Sequence, residues 1–247
     1  MCGIAGFVND MPIDVKCPVL QRMTDMIAHR GPDSEGHYID EHAALGHRRL
    51  SIIDLGGGQQ PIYNEDGSKV ITFNGEIYNY QTLREELIAA GHTFTTKSDT
   101  EVLLHGYEQW GVDLLQRVRG MFTFVIWDKN KQELFGARDH FGIKPFYYAK
   151  MNGTFMYASE IKSLLRHPDF VKELNAEALK PYMTFQYPAI GETFFKGVYK
   201  LPEGHYFTYR DGKMDIHRYY DEDFREGKQK LGELVNSIDQ TVCDSVK

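Results

Sequence analysis

Cysteine is scarce: three in 247 residues, at positions 2, 17 and 243, with no C-x-x-C spacing. An odd set without that spacing argues against a disulfide framework and a zinc knuckle, and points to a reducing compartment. Basic residues are also in the minority. The 28 Lys and Arg against 35 Asp and Glu leave a formal net charge of −7, which excludes a bulk electrostatic nucleic-acid binder. No apolar run approaches the roughly 18 residues of a membrane span. The opening MCGIAGFVND has no basic stretch, and its apolar run Ile4–Val8 is too short for a signal peptide. A cytoplasmic protein with no membrane or nucleic-acid partner is therefore expected. The ten histidines show no HExxH or paired metal spacing, so no metal site is expected. The glycines Gly56-Gly57-Gly58 are followed by no G-x-x-x-x-G-K-[ST] pattern and so form no phosphate loop.

What is present is apolar surface: 42 % hydrophobic and 13 % aromatic residues, too much for a disordered chain. A chain of this length can bury roughly 70–75 % of its unfolded surface. Alternating or continuous apolar runs predict strands at Ile4–Val8, Tyr38-Ile39, Ala44–Ile53, Lys69–Phe73, Met121–Trp127, Glu133–Ala137, Phe146–Ala149 and Phe155–Ala158. Tyr206–Tyr209 and Met214–Tyr219 suit a hairpin around Asp211-Gly212. Helical spacing covers Val15–His29, Tyr80–Ala90, Ile161–Leu165 and Ala176–Met183, and Ser98-x-x-Glu101 has the form of a capping box opening another helix near Asp99. Strands and helices come in runs rather than strict alternation, which favours an α+β fold with antiparallel sheets. From Asp221 to Lys230 the chain becomes highly charged, as a linker would. Leu231–Lys247 then carries Leu234, Val235, Ile238 and Val242 at helical spacing, with little left to pack against.

The odd cysteine carries the clearest chemistry. With Met1 removed, Cys2 supplies both a thiol and an α-amine. Only about 3 % of an ordinary thiol is thiolate at pH 7, but about a tenth to a sixth of an α-amine is neutral there, so the amine is a usable general base. On position alone, Cys2 reads first as a small apolar residue at a strand start.

The residues around and after it decide between these readings: MCGIAGF, HRGPDSEG, GHRRLSIID, FNGEIYN, SDTEVLL, GMFTFVIWD and RDHFGIKPFYY. In this order they resemble the glutaminase domain of class II glutamine amidotransferases, the N-terminal-nucleophile (Ntn) type, and more narrowly that of glutamine-hydrolysing asparagine synthetases. The resemblance runs from Met1 to about Tyr220. It implies a four-layer α-β-β-α sandwich of two antiparallel sheets, and hydrolysis of the L-glutamine side-chain amide to glutamate and ammonia. It also implies roles. Cys2 is the nucleophile. Asn74 and Gly75 offer N–H donors to the oxyanion, although Asn-Gly alone reads as a hairpin turn. Arg49, rather than its neighbour Arg48, takes the substrate carboxylate. The segment Leu50, Ser51, Ile52 and Ile53 lines the pocket. Glu76 and Asp99 take the α-ammonium, although Asp99 also suits a helix first turn.

The bland readings are retained for the rest. His29-Arg30-Gly31-Pro32-Asp33 is expected to be a structural corner, Arg138-Asp139 a buried ion pair, and Phe146-Tyr147-Tyr148 sheet core. The pyrophosphate motif S-G-G-x-D-S of asparagine synthetases does not occur in the sequence. The expected organisation is thus a glutaminase domain over 1–220, followed over 221–247 by a linker and the start of a truncated C-terminal synthetase domain. No cofactor is expected in the glutaminase domain, and ATP and magnesium are expected only in the synthetase domain. The partners are L-glutamine, that domain and a second copy of the chain in a homodimer. A class II amidotransferase with a sugar-phosphate or phosphoribosyl acceptor, or a silent amino-acid-binding domain, are the competing readings.

Overall fold

The computed structural model describes residues 1–54, 56–187, 191–224, 227 and 229–246. Its strands are β1 (Gly3–Val8), β2 (Ser34–Ile39), β3 (Ala43–Arg49), β4 (Ile62–Tyr63), β5 (Lys69–Ile77), β6 (Gly120–Asp128), β7 (Glu133–Arg138), β8 (Tyr147–Met151), β9 (Thr154–Ala158), β10 (Val198–Lys200), β11 (His205–Arg210) and β12 (Lys213–Arg218). The helices are α1 (Ile13–Asp25), α2 (Tyr80–Ala89), α3 (Asp99–Trp110), α4 (Leu114–Arg117), α5 (Ile161–Leu164), α6 (Leu179–Phe185) and α7 (Leu231–Val246).

Two six-stranded sheets form, in the orders β10-β8-β9-β1-β3-β2 and β12-β11-β7-β6-β5-β4. All named strand pairs are antiparallel. Strand periodicity sorts side chains into layers. On β6, Val125 and Trp127 join Ile4, Val70, Phe155 and Phe207 in the core between the sheets. The intervening Phe122, Phe124 and Ile126 face the other way, onto Leu83 and Leu87 of α2 and Leu103 and Tyr107 of α3. On the first sheet, Ala5 and Phe7 turn outward onto Leu20 and Met23 of α1 and Leu164 of α5. These are the four expected layers. Each fully buried Leu, Ile or Phe contributes about 1.5–3 kcal/mol to holding them together.

Four local readings are corrected. The run Ala44–Ile53 does not stay extended: β3 ends at Arg49 and Leu50–Ile53 form a loop, since nothing continues the ladder past Arg49–Ser34. Asn74-Gly75 is no turn, because β6 pairs with β5 straight through it. The capping box is only half formed. Ser98 Oγ accepts from the Thr100 N–H, but the Glu101 carboxylate is used by the backbone N–H groups and hydroxyls of Thr95 and Thr96. Arg138 and Asp139 spend their charges on backbone groups rather than on each other. The guanidinium donates to the carbonyls of Lys144, Leu201 and Gly142, while the carboxylate accepts from the N–H groups of Phe122, Phe141, Ile143 and Lys144. Within the charged stretch read as a linker, Arg225, Glu226 and Lys228 lie outside the described residues, as does Lys247.

Candidate active site

Residue Cys2 precedes β1, where Gly3 pairs with Arg48 of β3. That register sets the thiol opposite the strand end. Its Sγ lies 3.4 Å from the Leu50 N–H, which donates to it, and 3.5 Å from the Leu50 carbonyl, to which it can donate. Burial pushes the thiol pKa up, while the Leu50 backbone contact, the chain's terminal ammonium and the Arg49 guanidinium pull it down. The His29–Asp33 corner holds both sides of this pairing. Arg30 Nε donates to the Cys2 carbonyl at 3.0 Å, and Asp33 accepts from the Ser51 N–H at 2.8 Å. Gly31 is required there, since a Cβ would lie 2.2 Å from the Arg48 carbonyl carbon.

A cavity of about 100 Å³ opens over Cys2. Of the residues singled out from the sequence, Cys2, Arg49, Leu50, Ile52, Ile53, Asn74, Gly75, Glu76 and Asp99 line it. Ser51 does not: its backbone is tied to Asp33, outside the lining. Arg48 points to the opposite face of β3 and pairs with Asp25 and Glu35, because adjacent strand residues face opposite ways.

The floor is the β5 segment Asn74-Gly75. Asn74 is buried, 1 % exposed, and its Nδ2 has no hydrogen-bond partner among the described residues. Such an orphaned donor is costly and rare in a folded interior. Gly75 offers its backbone on the same edge. The N–H groups of Phe73 and Ile77 both point away from β6, to Gln60 Oε1 at 2.6 Å and Asp99 Oδ2 at 3.0 Å. The two-residue period of an antiparallel strand turns the Gly75 N–H to that edge between them. A Cβ at Gly75 would meet the Met121 carbonyl oxygen at 2.2 Å, so the close β5–β6 approach needs glycine here.

Charged groups flank this floor. Arg49, 7 % exposed, donates through Nη2 to the carbonyls of Ile53 and Asp54 at 3.1 and 2.6 Å, which holds the loop and leaves its other N–H groups without a partner among the described residues. Asp99, 4 % exposed at the start of α3, accepts from the Ile77 N–H and the Ser98 hydroxyl. No cation pairs with it among the described residues, and burial, reinforced by the nearby Glu76 charge, raises its pKa to about 6. Ser98 caps the helix, which frees Asp99 to face the cavity.

Sequence reasoning missed two residues here. Gln60 clamps the edge of β5, donating to the Phe73 carbonyl and to Thr100 Oγ1. Lys144 is buried at the cavity wall, its Nζ 3.1 Å from Met1 Sδ, and burial lowers its pKa. Neither stands in a spacing that signals a site; long-range packing brings both there.

Two stacked antiparallel sheets between helices, with a cysteine entering the first strand and unpaired donors and charges facing it, are the four-layer arrangement expected of an amidotransferase domain. The chain belongs to the glutamine amidotransferase domain family, whose model matches residues 1–220. It is 44 % identical over 250 residues to asparagine synthetase [glutamine-hydrolyzing] 1 of Bacillus subtilis, covering 100 % of this chain and 39 % of that protein. It is 34 % identical over 270 residues to amidase chry2 of Gibberella zeae, covering 100 % of this chain and 39 % of the relative. The chain thus spans about two fifths of the length of these relatives. Among solved structures, glutamine phosphoribosylpyrophosphate amidotransferase from B. subtilis, complexed with ADP and GMP, shares the fold. Its TM-score is 0.65 at 16 % identity, over 90 % of this chain and 50 % of that one.

Proposed function

We propose that this domain hydrolyses the side-chain amide of L-glutamine to glutamate and ammonia, and that it does so as the ammonia-supplying part of an ATP-dependent asparagine synthetase. The observation that carries the reading is the orphaned Asn74 Nδ2, buried in the cavity that holds Cys2. A donor kept without a partner is one prepared for charge that appears only during reaction.

In the proposed reaction, removal of Met1 exposes the Cys2 α-amine. The amine takes the thiol proton, and the thiolate attacks the amide carbon of glutamine. Asn74 Nδ2 and the Gly75 N–H hold the resulting oxyanion. The intermediate collapses with the proton returned to the leaving nitrogen, giving ammonia and a thioester. Water, deprotonated by the same amine, then releases glutamate and restores the thiol. Arg49 holds the α-carboxylate, and Asp99 with Glu76 holds the α-ammonium. A salt link to glutamine would offset the desolvation that raises the Asp99 pKa. While Met1 is attached, the Cys2 nitrogen is an amide and cannot serve as base.

The ammonia acceptor belongs to the synthetase part, as do ATP and magnesium; no step of the amide hydrolysis uses them. The apolar side chains of Leu234, Val235, Ile238 and Val242 on α7 are exposed, and we place the contact with the synthetase part there.

The test is ammonia release from glutamine, with the N-terminus defined by intact mass. Protein lacking Met1 should turn over, and protein retaining it should not. Cys2→Ala should bind glutamine without releasing ammonia. Turnover by Cys2→Ala would overturn the nucleophile assignment.

A further inference from the structure

Away from the cavity, four side chains from three segments converge on one point. Glu65 comes from the turn before β5, His92 from the loop after α2, and His105 and Glu108 from α3. Each offers one ligand atom, and these atoms all lie within 4.8 Å of one another. Two of the separations are shorter, with His105 Nδ1 3.4 Å from Glu65 Oε2 and 3.1 Å from Glu108 Oε2, while His92 Nδ1 lies 3.2 Å from the other Glu65 oxygen, Oε1. A tetrahedron with metal–ligand bonds of about 2.0–2.1 Å has edges of about 3.3–3.4 Å. The two His105 pairs therefore already stand near the spacing that a zinc ion imposes, and the remaining separations stay within 4.8 Å.

The outer contacts follow the same logic. Each histidine turns Nδ1 inward and points Nε2 at an oxygen. His92 Nε2 lies 3.2 Å from Gln109 Oε1, and His105 Nε2 lies 3.6 Å from Glu101 Oε1. The His105 Nε2 is buried without a hydrogen-bond partner, and the side chain is 1 % exposed. At His92, the hydrogen bond behind the outer nitrogen is of the kind that fixes tautomer and ring orientation in metal-binding histidines. The carboxylates are oriented too. Glu108 Oε1 accepts from Asn64 Nδ2 at 2.7 Å, and Glu65 Oε1 from the Thr93 N–H at 3.1 Å.

From this the geometry points to a structural zinc-class site formed by Glu65, His92, His105 and Glu108, which ties the β5 turn and the loop after α2 to the helix that presents Asp99. Glu65 and Glu108 bring two negative charges, Glu108 shared with Lys69 Nζ 3.4 Å from its Oε1, and paired imidazole and carboxylate donors suit zinc. Solvent-exposed Glu65 and half-buried His92 give an entry path and freedom to close the widest gap. The sequence pattern that predicts no metal site overlooks His105-Gly-Tyr-Glu108, a His and a Glu three apart on one helix face.

The test uses untagged full chain with Cys2, Cys17 and Cys243 replaced by Ala, so that thiols cannot bind the metal. After treatment with a chelator, zinc chloride is titrated by calorimetry and the melting temperature is recorded with and without zinc. One zinc per chain and a raised melting temperature are expected. His92→Gln, which leaves the buried His105 in place, should melt like its parent without zinc and bind zinc at least tenfold more weakly. Absence of saturable binding, or equal affinity in parent and His92→Gln, overturns the proposal.

Discussion

Asp99 and Asp139 are both buried, at 4 % and 1 % exposure, and they live in opposite circumstances. Asp139 sits at the end of β7 and accepts four backbone N–H groups, two on each oxygen. Its charge is solvated by the protein, and it organises the turn that leads to β8. Asp99 has the Ile77 N–H, its own backbone N–H and one hydroxyl, a second acid nearby, and no cation among the described residues. The difference separates a charge that builds the fold from a charge that the fold carries at a cost. Asn74 belongs with Asp99. Both face the cavity with less than they need, and in the proposed reaction the missing partners would be an oxyanion and an ammonium.

The two groups should respond differently to mutation. The largest effect is expected in the cavity: Asn74→Ala removes one oxyanion donor and should lower the kcat for ammonia release by about 10²–10³-fold. Its melting temperature should not fall, since the deleted amide nitrogen has no partner to lose. A drop in stability with unchanged kcat would move Asn74 to the structural side.

Next comes the same substitution at the two aspartates. Asp139→Asn places an amide nitrogen against two N–H donors and should destabilise the fold by about 3 kcal/mol, read by denaturant unfolding. Asp99→Asn keeps an oxygen for the Ile77 N–H and removes a poorly solvated charge, so it should stabilise the glutamine-free protein.

The pH dependence gives the sign. Asp99 holds its proton more tightly folded, with a pKa of about 6, than unfolded, near the ordinary 3.8. It therefore favours folding below about pH 4, and that contribution is lost as pH rises through about 6. The advantage of Asp99→Asn over the parent should be absent at pH 4 and reach about 2–3 kcal/mol above pH 7.

The smallest effect is on binding. Glutamine needs the ionised carboxylate, so its Kd should rise several-fold between pH 7 and 5.5, as followed by calorimetry. A Kd flat over that range would remove Asp99 from the ammonium site.

How much of this was legible in the sequence follows the same division. Cys2, Arg49, Asn74 and Asp99 stand inside short motifs, and it is the resemblance of those motifs, in order, to the glutaminase domains that singles them out; residue type then says what each could do. The run pattern of strands and helices made an α+β fold with antiparallel sheets legible, and the resemblance supplied the four layers. What failed depended on partners outside the motif itself. Asn74-Gly75 has the composition of a turn, and only the pairing with β6 keeps it extended. Arg138 and Asp139 are adjacent and opposite in charge, yet strand geometry sends each to backbone groups elsewhere. Glu101 had the spacing of a capping box, but Thr95 and Thr96 curl back to take its carboxylate. Gln60 and Lys144 reach the cavity through contacts that no local pattern encodes.

The most direct test of the claim that the cavity is held unsatisfied for its substrate is the melting temperature of Asp99→Asn and its parent at pH 7.5, each with and without saturating glutamine, in a Cys2→Ala background that prevents turnover. The account predicts that Asp99→Asn melts higher than the parent without glutamine, and that only the parent gains stability when glutamine is added. A variant that melts lower, or that gains as much from glutamine as the parent does, would contradict it.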